Sequence, residues 1–208
     1  MYAPTLSALM TSAETKYTYS IFDALDFIPA ILAAFPDKHI IFRPHPDDLS
    51  IIKQGVQTLR TNAFRQLLAL CETEPRCHLD ANQSNYIETF AKAAVLITDT
   101  SAIAYSFALT TKQPVVFYSA DQAQVKRLMP DVAYINDREK IGYCVDSVSD
   151  LIHALTQCFE VTDDIERVKF CEQVVYHRGT SMQYLLDNLD YLLSGKKHPD
   201  WWYWLDNC

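Results

Sequence analysis

Short runs of consecutive apolar residues alternate along the chain with stretches in which apolar positions recur every three or four residues. Runs of the first kind predict buried strands and stretches of the second kind amphipathic helices, so their alternation predicts an α/β fold built on a mainly parallel sheet. Strands are predicted at His39–Phe42, Cys77–Leu79, Val95–Ile97, Val115–Tyr118 and Tyr143–Val145, with a further short one at Ala133–Ile135. Met1–Thr5 is a strand-like opening, either the true beginning or part of something longer. Helices are predicted over Ser20–Phe35, Leu49–Gly55, Thr61–Cys71, Asn85–Ala93, Ser147–Phe159, Asp163–Tyr176 and Met182–Leu193. In the first of these Ile21, Leu25, Ile28, Ile31 and Leu32 share one side, and Pro29 is placed to bend it. Ser84 stands ahead of Asn85–Ala93 with Glu88 as its capping partner. Leu6–Thr18 and the segment after Tyr118, with Lys126, Arg127 and Pro130, show no period and are predicted as loops.

The stretch Ala94–Tyr118 reads as strand, polar turn, helix, strand. Val95-Leu96-Ile97 runs into Thr98-Asp99-Thr100-Ser101, small and apolar residues at helical spacing follow from Ala102, and Pro114 opens the second apolar run. In such a βαβ unit the helix N-terminus lies at the carboxyl edge of the sheet, where N–H groups and the helix dipole attract an anion, usually a phosphate. Plain capping is the alternative, with Ser101 or Asp99 accepting from the first-turn N–H groups. These residues alone leave both readings open.

A second polar group follows a predicted strand at Arg43-Pro44-His45-Pro46. Each proline fixes its own φ and restricts the residue before it, so Arg43 and His45 are displayed on a stiff loop that either connects two elements or carries a ligand. Gly179-Thr180-Ser181 offers a third turn. The 208 residues suit one or two domains, and 49% hydrophobic with 21% charged residues is ordinary for a soluble globular protein. A formal charge of −8 argues against a nucleic-acid surface, while phosphate ligands stay open because one or two local cations suffice for them. Six cysteines without a Cys-x-x-Cys pair, and no signal peptide, point to free thiols in a reducing cytosol. Cys71, Cys77 and His78 lack the second ligand pair of a zinc site, so no metal is predicted. No apolar run approaches the roughly 20 residues that span a bilayer. The tail from His198 carries Trp201, Trp202 and Trp204, which suit a membrane interface, a partner surface, or packing back onto the same protein.

Taken together, the opening Tyr2-Ala3-Pro4-Thr5, the Arg43-Pro44-His45-Pro46 loop, the Thr98-to-Ser101 turn with Lys112-Gln113-Pro114-Val115-Val116-Phe117-Tyr118 beyond it, and Gly179-Thr180-Ser181 before the last helix resemble the C-terminal half of the CDP-glycerol glycerophosphotransferase family. These enzymes build teichoic-acid-like polyol phosphate chains. The likeness covers nearly the whole chain and implies a Rossmann-like, doubly wound, mainly parallel sheet flanked by helices, the C-terminal half of a GT-B fold. It implies one donor-binding domain over 1–208, with an aromatic tail at 198–208, and an acceptor domain that is absent here or supplied by a partner chain. The donor, a CDP-linked substrate and not a cofactor, would seat its pyrophosphate between the Arg43 loop and the helix starting near Ser101. Arg43 would hold a phosphate, with Thr98, Asp99, Thr100 and Ser101 completing the cradle and Thr180 and Ser181 adding a further contact. His45 would be catalytic, either as general base toward an acceptor hydroxyl or, protonated, stabilising the leaving nucleotide. No metal is required. The resemblance also implies a membrane-linked acceptor, a cytoplasmic protein peripheral at the inner face of the cell membrane, and no activity for this chain alone. Ala102 stands where the family often has a second serine, Ser106 where it often has an acidic residue, and Leu6 where a tryptophan often follows the opening motif. The alternatives are another GT-B glycosyltransferase or nucleotide-sugar epimerase domain, and a non-catalytic binding or scaffold domain.

Overall fold

The computed structural model describes residues 1–5, 18–82, 85–161 and 164–201. All but Thr18 of the predicted loop Leu6–Thr18, the Ser84 cap, the helix start at 163 and the tail from 202 onward lie outside the described residues. The chain divides into two compact units, Met1–Cys171 and Glu172–Cys208.

Strands β1 (Ile40–Phe42), β2 (Cys77–Leu79), β3 (Leu96–Thr98), β4 (Val115–Tyr118) and β5 (Gly142–Val145) are all parallel; β1 pairs with β2, and β3, β4 and β5 pair in that order. The opening segment joins the two sets. Tyr2 N–H donates to Ile41 O at 2.8 Å and Arg43 N–H to Tyr2 O at 2.8 Å, while Ala3 N–H donates to Ile97 O at 3.0 Å and Ile97 N–H to Met1 O at 2.8 Å. Counting that segment as the first strand, the spatial order is 3-2-1-4-5-6, the doubly wound order of a Rossmann sheet.

The helices are α1 (Ala24–Ala34), α2 (Pro46–Lys53), α3 (Leu59–Thr73), α4 (Ile87–Lys92), α5 (Ile103–Thr111), α6 (Gln122–Leu128), α7 (Ala133–Asn136), α8 (Val148–Glu160), α9 (Ile165–Gln173), α10 (Ser181–Asp187) and α11 (Leu189–Ser194). Successive strand residues point to opposite faces. Tyr2, Ile97, Val116 and Tyr118 pack with residues of α1, α3 and α8, whereas Ala3, Leu96, Val115 and Phe117 pack with Phe90 of α4 and Ala104, Phe107 and Ala108 of α5. Helices on both faces explain why β3 and β4 read as unbroken apolar runs: neither face meets water.

Several elements differ from the pattern. Ser20–Phe35 is a 3-10 turn over Ser20–Phe22 followed by α1, which continues through Pro29. Ala133–Ile135 belongs to helix α7, not to a strand, because the N–H groups of Ile135 and Asn136 both bond Val132 O. Three apolar residues carry no period that separates a strand from one helical turn. The predicted loop around Lys126 and Arg127 is α6, started by Asp121, whose carboxylate accepts the Gln124 N–H at 2.8 Å. The last predicted helix is two, α10 and α11, meeting at Asn188.

Gly142 pairs with Val115 across β4 and β5, and a Cβ at Gly142 would lie 1.7 Å from Val115 O. In the second unit the Trp201 indole N–H donates to Tyr184 Oη at 2.8 Å and its ring stacks on His198 at 4.8 Å between centroids. Trp201 therefore packs back onto its own unit. Among the described residues no helix is long and apolar enough to cross a membrane.

Candidate functional site

The sheet order reverses between the opening segment and β3, and α1 and α5, the helices that follow these two strands, pack on opposite faces of the sheet, the arrangement that leaves a crevice at the carboxyl ends. A cavity of about 340 Å³ lies at this point. Pro4 lines it from the opening segment, Arg43 to Pro46 from the loop after β1, Ser101 to Ile103 and Ser106 from the start of α5, and Tyr86 and Phe90 from α4 and its cap. Two polar groups more than fifty residues apart in sequence meet in one place.

Arg43 reaches the cavity already paired. Its Nη1 donates to Asp80 Oδ2 at 2.5 Å, Thr89 Oγ1 donates to the same oxygen at 2.5 Å, and Asp80 Oδ1 accepts the Asn82 N–H at 3.0 Å. Side-chain exposures of 9% and 13% make Arg43 and Asp80 a largely desolvated pair. Burial pushes the Asp80 carboxyl up, but the hydrogen bonds from Thr89, Asn82 and Arg43, with the Arg43 charge, outweigh it and hold the group below its ordinary value of 3.8. A carboxyl depressed in the folded state contributes stability that is complete above 3.8 and is lost as pH falls through the folded value. The stability gap between the unaltered chain and Asp80→Asn is therefore expected to narrow as pH is lowered from about 6 to about 3 in thermal unfolding. A gap constant over that range would show that Asp80 does not act through its charge.

The turn after β3 is held from within. Asp99 is 1% exposed, and its carboxylate accepts the Thr5 N–H at 2.8 Å, the Ser20 N–H at 2.8 Å and the Ser20 hydroxyl at 2.9 Å. Burial is the largest influence on this carboxyl and pushes it up against the bonds from Ser20, Thr5 and Thr100. Thr98 Oγ1 donates to Ala3 O at 2.6 Å, Thr100 Oγ1 to Thr18 O at 2.9 Å, and Arg138 Nη2 to Asp99 O at 3.1 Å. Of the two readings that the sequence leaves open, capping of the next helix by Asp99 or Ser101 is not seen: the Asp99 carboxylate is drawn inward, and α5 has Ala102 at its cap. Ala102 stands at the cap of α5 without a side-chain bond, so the positive end of this helix meets the cavity with no side chain among the described residues satisfying its leading N–H groups.

His45 is the N-cap of α2. Its Nδ1 accepts the Asp47 N–H at 3.2 Å, and Pro46 takes the first helical position, where a missing N–H is harmless. An accepting Nδ1 carries no proton, so the neutral ring holds its proton on Nε2. The Asp47 carboxylate lies 3.8 Å from Nδ1.

The family model described as CDP-Glycerol:Poly(glycerophosphate) glycerophosphotransferase matches residues 1–191. The chain belongs to this family. No curated protein matches it. Among solved structures the chain is similar to a variant of the wall teichoic acid polymerase TagF, at 19% identity and a TM-score of 0.56 over 94% of this chain and 43% of that one. A TagF variant soaked with CDPG matches at 20% identity and 0.54 over 95% and 42%, and TagF itself at 20% and 0.51 over 94% and 44%. At this identity the likeness is one of fold, and the chain spans less than half the length of these polymerase chains.

Of the residues that the resemblance assigns in this glycerophosphotransferase-family chain, Arg43, His45 and Ser101 line the cavity. Thr98, Asp99 and Thr100 stand behind it, their side chains spent on the internal bonds that shape the turn. Thr180 and Ser181 lie in the second unit, where their hydroxyls donate to His177 O at 3.3 Å and 2.7 Å beside Gly179 at φ +78. Ala102 and Ser106, two of the three positions that depart from the family pattern, line the cavity. Asp80, Thr89, Tyr86 and Phe90 belong to the site without standing out in the sequence pattern. Asp80 directly follows the predicted strand Cys77–Leu79, and that position at a carboxyl end was a usable signal. Tyr86 and Phe90 give none, since their i, i+4 spacing is that of any helix face.

Proposed function

We propose that the cavity holds the pyrophosphate of a CDP-linked donor, and that this chain is the donor-binding part of a transferase moving glycerol phosphate, or a related polyol phosphate, to an acceptor hydroxyl in cell-surface polymer synthesis. One observation carries the reading: Arg43, His45 and the start of α5, free of a side-chain cap among the described residues, line a single cavity at the switch point of a Rossmann sheet. Arg43 has one edge on Asp80 and offers its other donors to a phosphate as charge-assisted hydrogen bonds. The α5 dipole adds positive potential beside it. These two supply the neutralising charge, so the reading assigns neither metal nor cofactor. His45 Nε2–H donates to the phosphate and stabilises the charge that gathers on the leaving nucleotide as the phosphorus–oxygen bond breaks. A general-base role would need Nε2 unprotonated and the proton on Nδ1, which removes the α2 cap. Membership of the family supports the reading, as does the TagF structure soaked with CDPG. On this reading an N-terminal domain or partner chain brings the membrane-linked acceptor, the protein works in the cytoplasm at the inner face of the membrane, and this chain alone binds donor without transferring it.

Calorimetric titration with CDP, CDP-glycerol, UDP and UDP-sugars tests it. Cytidine ligands are expected to bind, and Arg43→Ala to weaken them by about 1.5 to 3 kcal/mol, or about 10- to 150-fold, through loss of a charged hydrogen bond. A preference for uridine ligands would move the site to a sugar transferase or epimerase. Binding indifferent to Arg43→Ala would remove the cavity as the phosphate site.

A further inference from the structure

The cavity has an aromatic side that phosphate chemistry does not use. Tyr86 and Phe90 both line it, with ring centroids 5.0 Å apart and planes tilted by 54°. Phe90 is 1% exposed and fixed edge-on against Phe107 at 5.3 Å, so it cannot turn away. Tyr86 keeps 45% of its surface open. Residues 86, 89 and 90 fall at i, i+3 and i+4, on one face of the helical turn. Thr89, on the same face, holds the same Asp80 oxygen that Arg43 holds. A single turn of α4 therefore sets the guanidinium and the aromatic wall at a fixed spacing, and the ligand that satisfies both has a phosphate end and a flat ring end. A polyol has no π-face to lay on an aromatic side chain, whereas every nucleobase does.

Resting on the donor-site reading above, we propose that Tyr86 is the base-stacking residue of this site, carrying the pyrimidine ring of the bound nucleoside diphosphate with Phe90 as its backing. Stacking tolerates any base. Tyr86 accordingly gives affinity for a nucleotide over bare pyrophosphate and does not choose between cytidine and uridine. The site thereby divides into two parts with separable chemistry, charge at Arg43 and α5, and ring surface at Tyr86.

The test is calorimetric titration of the full chain and of Tyr86→Ala, Tyr86→Phe and Arg43→Ala with CDP and with inorganic pyrophosphate, each variant first matched to the unaltered chain by thermal unfolding. Tyr86→Ala is expected to weaken CDP by about 5- to 150-fold, the span of base–aromatic stacking, and to leave pyrophosphate unchanged. Tyr86→Phe, which keeps the ring, is expected to bind CDP like the unaltered chain. If Tyr86→Ala binds CDP undiminished, or loses CDP and pyrophosphate equally, the stacking role is overturned. In that case pyrophosphate binding that Arg43→Ala weakens would leave the donor-site reading standing. Failure of the unaltered chain to bind either ligand would overturn both.

Discussion

A complete enzyme carrying His45→Ala is expected to lose transfer by about 100- to 10,000-fold, the effect of removing a positioned proton donor or a hydrogen bond made to charge that develops in the transition state. The same change removes the acceptor that caps α2, at about 0.5 to 2 kcal/mol of stability, so a loss of activity could be confused with partial unfolding. Two further variants separate the effects. His45→Asn keeps an acceptor near the position of Nδ1 and removes Nε2; it should match the unaltered protein in stability and share the loss of transfer. His45→Gln reaches the position of Nε2 with an N–H donor and gives up the cap; it should be less stable yet retain part of the transfer. Single-turnover release of CMP from CDP-glycerol, measured alongside urea unfolding, reads both quantities. Full transfer by His45→Asn would remove the catalytic assignment, and complete inactivity of a folded His45→Gln would favour the general base over the donor.

The second large effect is on the fold. Gly142→Ala is expected to cost about 3 to 5 kcal/mol, at or above the usual range for overpacking. The added Cβ would fall 1.7 Å from Val115 O, a backbone atom of the first pair in the β4–β5 ladder that no rotamer change can move aside. The strands must separate, which weakens the Val115 N–H bond to Ile141 O and opens the packing of Val115 and Ile141, both fully buried. Set against the total of about 5 to 15 kcal/mol that holds a typical domain, such a loss leaves little margin. The midpoint of urea unfolding should fall with no change in slope, and a shift worth less than about 1 kcal/mol would show that β5 can move outward at low cost.

Legibility along this chain follows how local each determinant is. Val115–Tyr118 and Val95–Ile97 are readable as strands because parallel strands covered on both faces must be apolar throughout. Ser147–Phe159 is readable because its cap and period agree, and Ser147 does accept the Asp150 N–H. Ala133–Ile135 is misread because three residues cannot show a period, and its helix is stabilised from elsewhere: Tyr134 Oη donates to Thr100 O at 2.6 Å and Tyr105 Oη to Tyr134 O at 2.7 Å. At the site, Arg43 and His45 stand out because flanking prolines act on neighbouring dihedrals alone. Asp99 also stands out, but for a reason the sequence misjudges: a carboxylate ahead of a helix looks like a cap, and only the approach of Thr5 and Ser20 turns it into the inner anchor of the loop.

Local pattern along the chain suffices for the class of the fold, the places where helices and strands alternate, and the two stiff polar turns that any ligand would have to meet. These depend on burial pattern and backbone preference within a few residues, which each segment carries wherever it goes. Tertiary structure alone decided that the opening segment lies between β1 and β3, that Asp80 takes Arg43 from 37 residues away, that Thr5 reaches Asp99 across 94 residues, and that Tyr86 joins the same cavity. Such pairings are settled by which surfaces exclude water together and which buried charges then find partners, and no single segment contains that information.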